Sequence, residues 1–249
     1  MRPTPTEEHL INTRAVHAQP ALARTDTELQ AVLFDMDGTL TDSERLWTIS
    51  LERVAQSYGQ VLSRPAREAM VGQDMWATID LLHRELGITV APSETAQRLT
   101  DETMQVFREG LPVKDGAAEL LAAVRAAGLR TALVTATYRE LVEVALDSIG
   151  RDAFDVTICG DEVAANKPDP APYLRAMELL GVPPTNCLVV EDSPTGSRSA
   201  VAAGIGVLVV PSEIPVPPGP GLSFATTLAG VDVQRLREIH AELGSRTHA

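Results

Sequence analysis

Aromatic side chains and cysteines are both scarce in this sequence. Aromatic residues make up only 4% of the 249 residues, whereas 44% are hydrophobic, so Leu, Val, Ala and Ile must fill the core. The two cysteines, Cys159 and Cys187, both lie inside apolar stretches. We therefore expect two reduced thiols in the core of a protein from a reducing compartment, rather than a disulfide framework.

Basic residues and long apolar runs are also few. The chain has 21 Lys and Arg against 34 Asp and Glu, which gives a formal net charge of −13. This excess of acid disfavours non-specific attraction to nucleic acid or to an anionic membrane surface. No stretch resembles a signal peptide, and none approaches the length of a bilayer span. We expect a cytoplasmic globular protein that binds neither nucleic acid nor membrane.

Short aliphatic runs alternate with segments of helical periodicity over most of the chain. This alternation predicts right-handed crossovers and a parallel sheet covered on both faces, a Rossmann-like doubly wound α/β fold. At the helix starts, Thr137 with Glu140 forms a capping-box pattern, and Ser193 is a candidate N-cap. The runs that predict strands are AVLF (31–34), TALVT (131–135), DVTI (155–158), CLVV (187–190) and GVLVV (206–210).

One long segment interrupts this alternation, because residues 45–111 contain helical periods but no convincing strand. We expect them to fold as an inserted all-helical cap domain on a core formed by residues 29–44 and 112–249. Residues 1–28 show no sustained period and predict a flexible N-terminal tail. The proline-rich stretch at 211–221 predicts a surface connection, with a short helix after it.

Polar side chains follow four of the predicted strands. The carboxyl ends of parallel strands are where open α/β sheets gather their ligands, so these side chains should converge. Carboxylates packed this closely would repel one another and raise their pKa values unless a cation neutralises them. Mg²⁺, which prefers oxygen ligands, meets that requirement. The side chains are Asp35 and Asp37 after the first strand, Thr135 after the second, Asn166 and Lys167 beyond the third, and Glu191 and Asp192 after the fourth.

The segment Asp35-Met36-Asp37-Gly38-Thr39, followed in order by Thr135, Lys167 and Glu191-Asp192, resembles the haloacid dehalogenase superfamily of phosphotransferases. The resemblance covers the chain from about Ala31 to Val210, and a helical insertion at this place is similar to that superfamily's first cap class. It implies a Mg²⁺-dependent phosphatase acting on a small phosphorylated metabolite, such as a sugar phosphate. A monomer or weak homo-oligomer is expected.

The resemblance also implies a role for each residue at the strand ends. Asp35 would attack phosphorus in line and carry an aspartyl-phosphate. Asp37 would protonate the leaving oxygen and then activate the water that cleaves the intermediate. Lys167, the hydroxyl of Thr135 and the backbone N–H of Ala136 would bind the phosphoryl oxygens.

The implied metal ligands come from the same segments. Mg²⁺ would be held by the carboxylates of Asp35 and Asp192 and by the main-chain carbonyl of Asp37, with Glu191 acting through water or by supporting Asp192. The cap would close over this site and exclude water until the intermediate forms.

Two alternatives to a phosphatase stay open. A β-phosphoglucomutase-like enzyme shares these motifs but carries a histidine in the first cap helix and an arginine after the cap glycine. A gap-free alignment places Trp47 and Met75 there, and neither is expected to do that work, which favours hydrolysis. A non-catalytic protein that binds phosphometabolites is disfavoured, because Asp35 and Asp37 are both intact.

Substrate contacts are expected from the hinge and from the cap. Trp47 belongs to an apolar stripe at helical spacing, so packing within the cap is its favoured role. The candidate contacts are Glu44, Gln73, Met75 and Trp76.

Overall fold

The computed structural model describes residues 28–70 and 73–246. Within them, a six-stranded parallel sheet carries helices on both faces, which confirms the Rossmann-like doubly wound α/β fold with a helical cap. The predicted tail at 1–28 falls outside the described residues except for Glu28. The strands are β1 (Ala31–Phe34), β2 (Arg130–Val134), β3 (Val156–Ile158), β4 (Cys187–Glu191), β5 (Gly206–Val209) and β6 (Leu222–Phe224). The helices are α1 (Glu44–Ser57), α2 (Arg64–Met70), α3 (Met75–Leu86), α4 (Pro92–Glu109), α5 (Ala117–Ala126), α6 (Arg139–Ile149), α7 (Ala171–Leu180), α8 (Pro194–Ala202) and α9 (Val233–Arg246).

The order of strands in the sheet locates the ligand crevice. The order is β3-β2-β1-β4-β5-β6, and every neighbouring pair is parallel. The chain moves outwards from β1 through β2 to β3, and then crosses back to β4 on the other side of β1. Open α/β sheets bind ligands where the strand order reverses in this way, beyond the carboxyl ends of the strands. The residues that follow β1, β2 and β4 therefore meet in one crevice.

The side chains of β1 enter two different cores, because successive residues of a strand point to opposite faces of the sheet. Val32 and Phe34 join an apolar cluster formed with α5, α6 and α9. Ala31 and Leu33 join a second cluster formed with α7 and α8. All four side chains are fully buried. Asp35 is the next residue, so its carboxylate lies at the rim of a sheet that is apolar on both faces.

Helices α1 to α4 enclose an apolar cluster of their own, which includes Leu51, Val54, Leu82 and Leu99. Near its C-terminus, α4 also contributes Phe107 to the core cluster beside β1. A separate cluster of this kind supports our proposal of an inserted cap. The boundaries of the cap at residues 45 and 111 stay a prediction.

The two cysteines are found where the composition predicts them, in the core of the protein. Cys159 and Cys187 are both buried and form no disulfide, as expected. Burial raises the pKa of Cys187 to about 12 and that of Cys159 well above its usual value, which makes both thiols inert.

None of the helices in the described part of the chain combines the length and the apolarity needed to cross a membrane.

Four local features differ in how well the sequence predicts them. The predicted capping box fails, because α6 follows Tyr138 without a side-chain cap and the Thr137 hydroxyl contacts a different group. The sequence pattern does not predict β6, a three-residue edge strand with no fully buried position. Ser193 is confirmed as the N-cap of α8, since its hydroxyl accepts from the backbone N–H of Gly196. The helix predicted after the proline-rich stretch is confirmed as α9.

Candidate active site

Four segments bring polar side chains to the crevice beside β1. Asp35 directly follows β1, Thr135 follows β2, and Asp192 follows β4, whose last residue is Glu191. Lys167 comes from the loop between β3 and α7. The structure therefore brings together the acids, the threonine and the lysine that the sequence placed at the strand ends, whereas the amide of Asn166 donates to the carbonyl oxygen of Gly160 at 3.1 Å.

Lys167 joins three of these segments through its ammonium group. Its Nζ donates to Asp35 Oδ1 at 2.7 Å, to Glu191 Oε1 at 2.7 Å and to the carbonyl oxygen of Val134 at 2.8 Å. These three bonds use the full donor capacity of a lysine. Burial alone would lower the pKa of Lys167, but the charges of Asp35 and Glu191 outweigh it and raise that pKa well above its usual value. Lys167 is therefore a permanent cation in the site.

Glu191 is fully buried, and both oxygens of its carboxylate are occupied by the protein. Oε1 accepts from Lys167 and, at 2.9 Å, from the hydroxyl of Tyr173. Oε2 accepts from the backbone N–H of Asp192 and from the hydroxyl of Ser193, both at 3.1 Å. A carboxylate has about four acceptor positions, so these bonds fill its capacity. Glu191 thus holds Lys167 and the chain around Asp192 in position.

Two glycines allow the chain to approach these carboxylates closely. Gly38 has φ +79°, and a Cβ there would lie 2.0 Å from Asp192 Oδ2. A Cβ on Gly196 would lie 1.7 Å from Glu191 Oε1. Any side chain at either place would collide with an acid of the site, so glycine is required at both.

The two remaining buried carboxyls have strongly raised pKa values. Burial, followed by repulsion from Glu191, raises the pKa of Asp35 to about 7 despite the opposing effect of Lys167. Burial, followed by repulsion from Asp35 and Glu191, raises the pKa of Asp192 to about 9. The hydroxyl of Thr39 donates to Asp35 Oδ2 at 2.9 Å. One lysine therefore does not compensate the charge of three acids in this small volume.

The same three acids form a negatively charged site for a cation. Asp35, Glu191 and Asp192 each have a carboxylate oxygen within 4.8 Å of the other two. The oxygens of Glu191 are filled by hydrogen bonds, so Asp35 and Asp192 are the two that can coordinate an ion directly, and Glu191 adds negative charge beside them. A hard divalent cation would relieve the repulsion that raises the two pKa values. The arrangement therefore fits the divalent metal that the sequence predicts, and the acidic cluster can hold such an ion.

Asp37 is held by four donors from both sides of the crevice. Its Oδ1 accepts from the Ser43 hydroxyl at 2.6 Å and from the indole Nε1 of Trp47 at 3.0 Å. Its Oδ2 accepts from the Thr137 hydroxyl at 2.7 Å and from the Thr135 hydroxyl at 3.3 Å. Trp47 lies on α1 and the threonines follow β2, so this carboxylate links the cap to the sheet.

A cavity of about 180 Å³ lies between these groups and the cap. Thr135, Ala136 and Lys167, the predicted phosphate-binding residues, all line it, as do Asp35, Asp37 and Asp192. Of the predicted substrate contacts, Glu44, Gln73 and Met75 line the cavity. Trp76 does not, and its side chain is 43% exposed. Successive residues on a helix point about 100° apart, so when Met75 faces the cavity Trp76 faces away from it.

Several residues in the site were missed or misjudged from the sequence. The role assigned to Trp47, packing alone, is wrong in part, because its ring packs edge-on against Phe107 while its N–H reaches Asp37. The apolar stripe that contains Trp47 gave no sign of this polar contact. Tyr173 occupies an apolar position of α7, where its hydroxyl could not be foreseen to reach Glu191. Arg67 also lines the cavity, although α2 carries no motif that marks it.

Comparison with known proteins places this site in a family. Residues 29–204 match the family described as haloacid dehalogenase-like hydrolase. The chain belongs to the haloacid dehalogenase-like hydrolases. The resemblance inferred from the order of Asp35, Thr135, Lys167 and Asp192 is thereby confirmed.

Relatives of this haloacid dehalogenase-like hydrolase include phosphatases. The chain is 35% identical over 178 residues to the phosphorylated carbohydrates phosphatase of Thermotoga maritima, an alignment that covers 71% of this chain and 82% of that protein. It is 35% identical over 201 residues to protein CbbY of Rhodobacter capsulatus, covering 75% and 87%. The crystal structure of CbbY from Rhodobacter sphaeroides in complex with phosphate has a TM-score of 0.75 and 26% identity, covering 84% of this chain and 99% of that one. The predicted class of enzyme is confirmed.

Removal of divalent cations should make the stability of this hydrolase fall as the pH rises. In the folded protein Asp35 and Asp192 keep their protons up to about pH 7 and about pH 9, whereas an unfolded chain loses them at about pH 3.9. Between these values the unfolded chain binds fewer protons, so the free energy of unfolding decreases with rising pH. Thermal unfolding in EDTA between pH 5 and 9 measures this slope.

Two comparisons complete this experiment. Asp192→Asn should flatten the slope, because it removes one of the two groups that must ionise. Mg²⁺ should restore stability most at high pH, since it favours the ionised carboxylates. A melting temperature that rises with pH in EDTA, or that ignores Mg²⁺ at every pH, would contradict this description of the acid cluster.

Proposed function

We propose that this protein is a Mg²⁺-dependent phosphohydrolase that cleaves the phosphate monoester of a small phosphorylated carbohydrate through an aspartyl-phosphate on Asp35. The observation that carries the proposal is the contact of Asp35 with Lys167. A buried carboxylate at the end of β1 faces a cavity while a buried ammonium is held 2.7 Å from its Oδ1. An anionic nucleophile beside a fixed cation is what attack on an anionic phosphoryl group requires.

Two displacements make up the proposed reaction. In the first, an oxygen of the Asp35 carboxylate attacks phosphorus, the bond from phosphorus to the ester oxygen breaks, and Asp37 gives its proton to the leaving oxygen. In the second, Asp37 takes a proton from a water whose oxygen attacks phosphorus, and the bond from phosphorus to Asp35 breaks. The products are an alcohol and inorganic phosphate, and both carboxyl groups return to their starting states.

The contacts of Asp37 distinguish the two oxygens of its carboxyl group. This suits a residue that must give and take a proton at one of them. An indole N–H can only donate, so Trp47 requires Oδ1 of Asp37 to be an acceptor. The hydroxyls of Thr135 and Thr137, which contact Oδ2, can donate or accept. The catalytic proton of Asp37 is therefore carried on Oδ2, and Trp47 is a positioning residue for the transfer.

Several groups would stabilise the transferring phosphoryl group. Lys167 supplies a fixed positive charge, and Thr135 and Ala136 line the cavity beside it. Mg²⁺ would be held by the carboxylates of Asp35 and Asp192 together with the main-chain carbonyl of Asp37, and would supply charge neutralisation for the phosphoryl oxygens. Because Glu191 is saturated with hydrogen bonds, it acts by supporting Lys167 and Asp192.

The small cavity and the relatives support a small substrate. At about 180 Å³ the cavity is smaller than the pockets that bind drug-sized ligands. The Thermotoga maritima relative is named for phosphorylated carbohydrates. A sugar or polyol phosphate is therefore the class of substrate that we propose, with the protein acting as a monomer or weak homo-oligomer.

A phosphate-release screen over small phosphomonoesters tests the proposal. The wild type should release phosphate from at least one sugar or polyol phosphate with Mg²⁺, and EDTA should abolish the release. Asp35→Asn should lower kcat by at least about 10⁴-fold, because it removes the nucleophile. Asp80→Asn is the matched control, since Asp80 lies on the outer surface of α3 and should leave the rate unchanged.

Three results would contradict the proposal, each in a different way. Activity that survives in Asp35→Asn would mean that another group accepts phosphorus. Binding of sugar phosphates without turnover would favour the non-catalytic alternative. Conversion of glucose 1-phosphate to glucose 6-phosphate in place of phosphate release would favour a mutase. Trp47 no longer argues against that alternative, because its N–H contacts the proposed acid, Asp37.

Trp47→Phe tests the positioning of Asp37. The variant keeps a ring to pack on Phe107 but loses the N–H. It should therefore slow a reaction most when the leaving group must be protonated as it departs. We expect kcat on an alkyl phosphate to fall about 10- to 100-fold, because general acid catalysis supplies about 10²–10⁴-fold. With p-nitrophenyl phosphate, whose leaving group needs little protonation, the fall should be less than about threefold.

The other tryptophan gives the control for this variant. Trp76→Phe removes an indole from an exposed position of the cap and should affect neither substrate. If Trp47→Phe slowed both substrates by the same factor, Trp47 would be a packing residue only.

A further inference from the structure

The described lining of the cavity has one cation at the end formed by the sheet and one at the end formed by the cap. At the end formed by the sheet, the acids of the crevice surround Lys167. At the end formed by the cap, Arg67 of α2 reaches the lining. Among the described residues that line the cavity, Lys167 and Arg67 are the cations. Because Lys167 is committed to Asp35 and Glu191, Arg67 is the cation that remains to hold a second anionic group of a substrate.

The positive charge of the Arg67 guanidinium is offset by the negative charge of the Glu52 carboxylate. Its guanidinium Nη1 makes a close ion pair with the Oε1 atom of Glu52 on α1. About a third of each side chain is exposed. Arg67 lines the cavity and Glu52 does not, so the pair joins a residue of the lining to one outside it. A guanidinium has five N–H donors, so Arg67 can still donate hydrogen bonds to a neutral hydroxyl.

Apart from these two cations, the charged residues in the described lining of the cavity are acids. Glu44, Asp74 and Glu213 are among them. Asp74 lies in the cap, where its side chain is the N-cap of α3 and accepts from the Ala77 N–H at 2.9 Å. Glu44 lies nearer the sheet, since its Oε1 would be 3.3 Å from a Cβ on Gly38. Burial, followed by repulsion from Glu44, raises the pKa of Glu213 above its usual value, because Glu44 and Glu213 lie near each other. A second phosphate here would meet like charges and a cation that is already paired.

Neutral side chains complete the wall of the cap. Thr48, Gln73 and Thr78 offer hydroxyl and amide groups, and Leu51 and Leu99 offer apolar surface. These are the groups that bind hydroxyls and the carbon backbone between them, since neither requires a charge.

We infer that the substrate carries a single phosphate and an uncharged, hydroxyl-bearing remainder, and that the pairing of Arg67 with Glu52 is what excludes a second anionic group. This inference rests on the proposed phosphohydrolase function and names the substrate class of the same cavity. Glu52 is then a specificity residue that never touches the substrate, because it acts through the charge of Arg67.

The test compares substrates that differ only in a second phosphate. Phosphate release from hexose 6-phosphate and hexose 1,6-bisphosphate is measured with wild type and with Glu52→Gln. The wild type should prefer the monophosphate in kcat/KM by at least about tenfold, because like charges oppose the bisphosphate. Glu52→Gln frees Arg67 and should shift this ratio towards the bisphosphate by about tenfold or more, mainly through KM.

Matched variants separate the effect of this pair from a general change of charge. Glu68→Gln removes the same charge from the exposed Arg64–Glu68 pair of α2 and should leave the ratio unchanged. The double variant Glu52→Gln/Arg67→Gln should lose the gain. Calorimetric titration of both sugars into Asp35→Asn, with and without Glu52→Gln, gives the same comparison from dissociation constants alone.

Failure of this inference can be distinguished from failure of the proposed function. If the wild type cleaves no phosphomonoester in an Asp35-dependent way, the function itself is wrong. If it cleaves the bisphosphate as well as the monophosphate, or if Glu52→Gln leaves both the kinetic and the binding ratios unchanged, the function stands and the inference is overturned.

Discussion

The site depends on one buried ammonium group that is bonded to three separate strand ends. Lys167 contacts Asp35 after β1, Val134 at the end of β2 and Glu191 at the end of β4. Removal of one partner from a buried ion pair costs about 3–5 kcal/mol, since the other charge stays buried and unpaired. The cation is therefore structural as well as electrostatic: it fixes the distance between the proposed nucleophile and the acids that would hold a metal. Even so, the acids outnumber it, which leaves the site prepared for a divalent ion.

The first cap helix, α1, connects the chemistry at the sheet with the choice of substrate. Leu51 and Val54 pack it into the cap, while Trp47 extends from its N-terminal end to Asp37. About one and a half turns further along the helix, the charge of Glu52 offsets that of Arg67. A movement of α1 would therefore change the hold on the proposed acid and the charge balance of the cavity together.

The sequence predicts the parts of the site that follow from strand periodicity and fails where side chains from separate helices meet. Asp35, Thr135 and Asp192 each follow a short aliphatic run, so the rule that ligands gather at the carboxyl ends of parallel strands is enough to bring them together. Trp47 and Arg67 lie on helices whose position over the sheet depends on tertiary packing. No spacing along the chain reveals that an apolar stripe can point an N–H at a carboxylate, or that the side chains of two cap helices form an ion pair.

The most direct test of whether Asp35 accepts phosphorus is a rapid acid quench during turnover of a phosphomonoester with a labelled phosphate. Peptide mapping then locates the trapped acyl phosphate. We expect the phosphate on Asp35, within the peptide that continues β1, and we expect the label to disappear on the time scale of phosphate release. Label on any other residue, or steady turnover with no covalent phosphate at the shortest times, would contradict the claim that Asp35 accepts phosphorus.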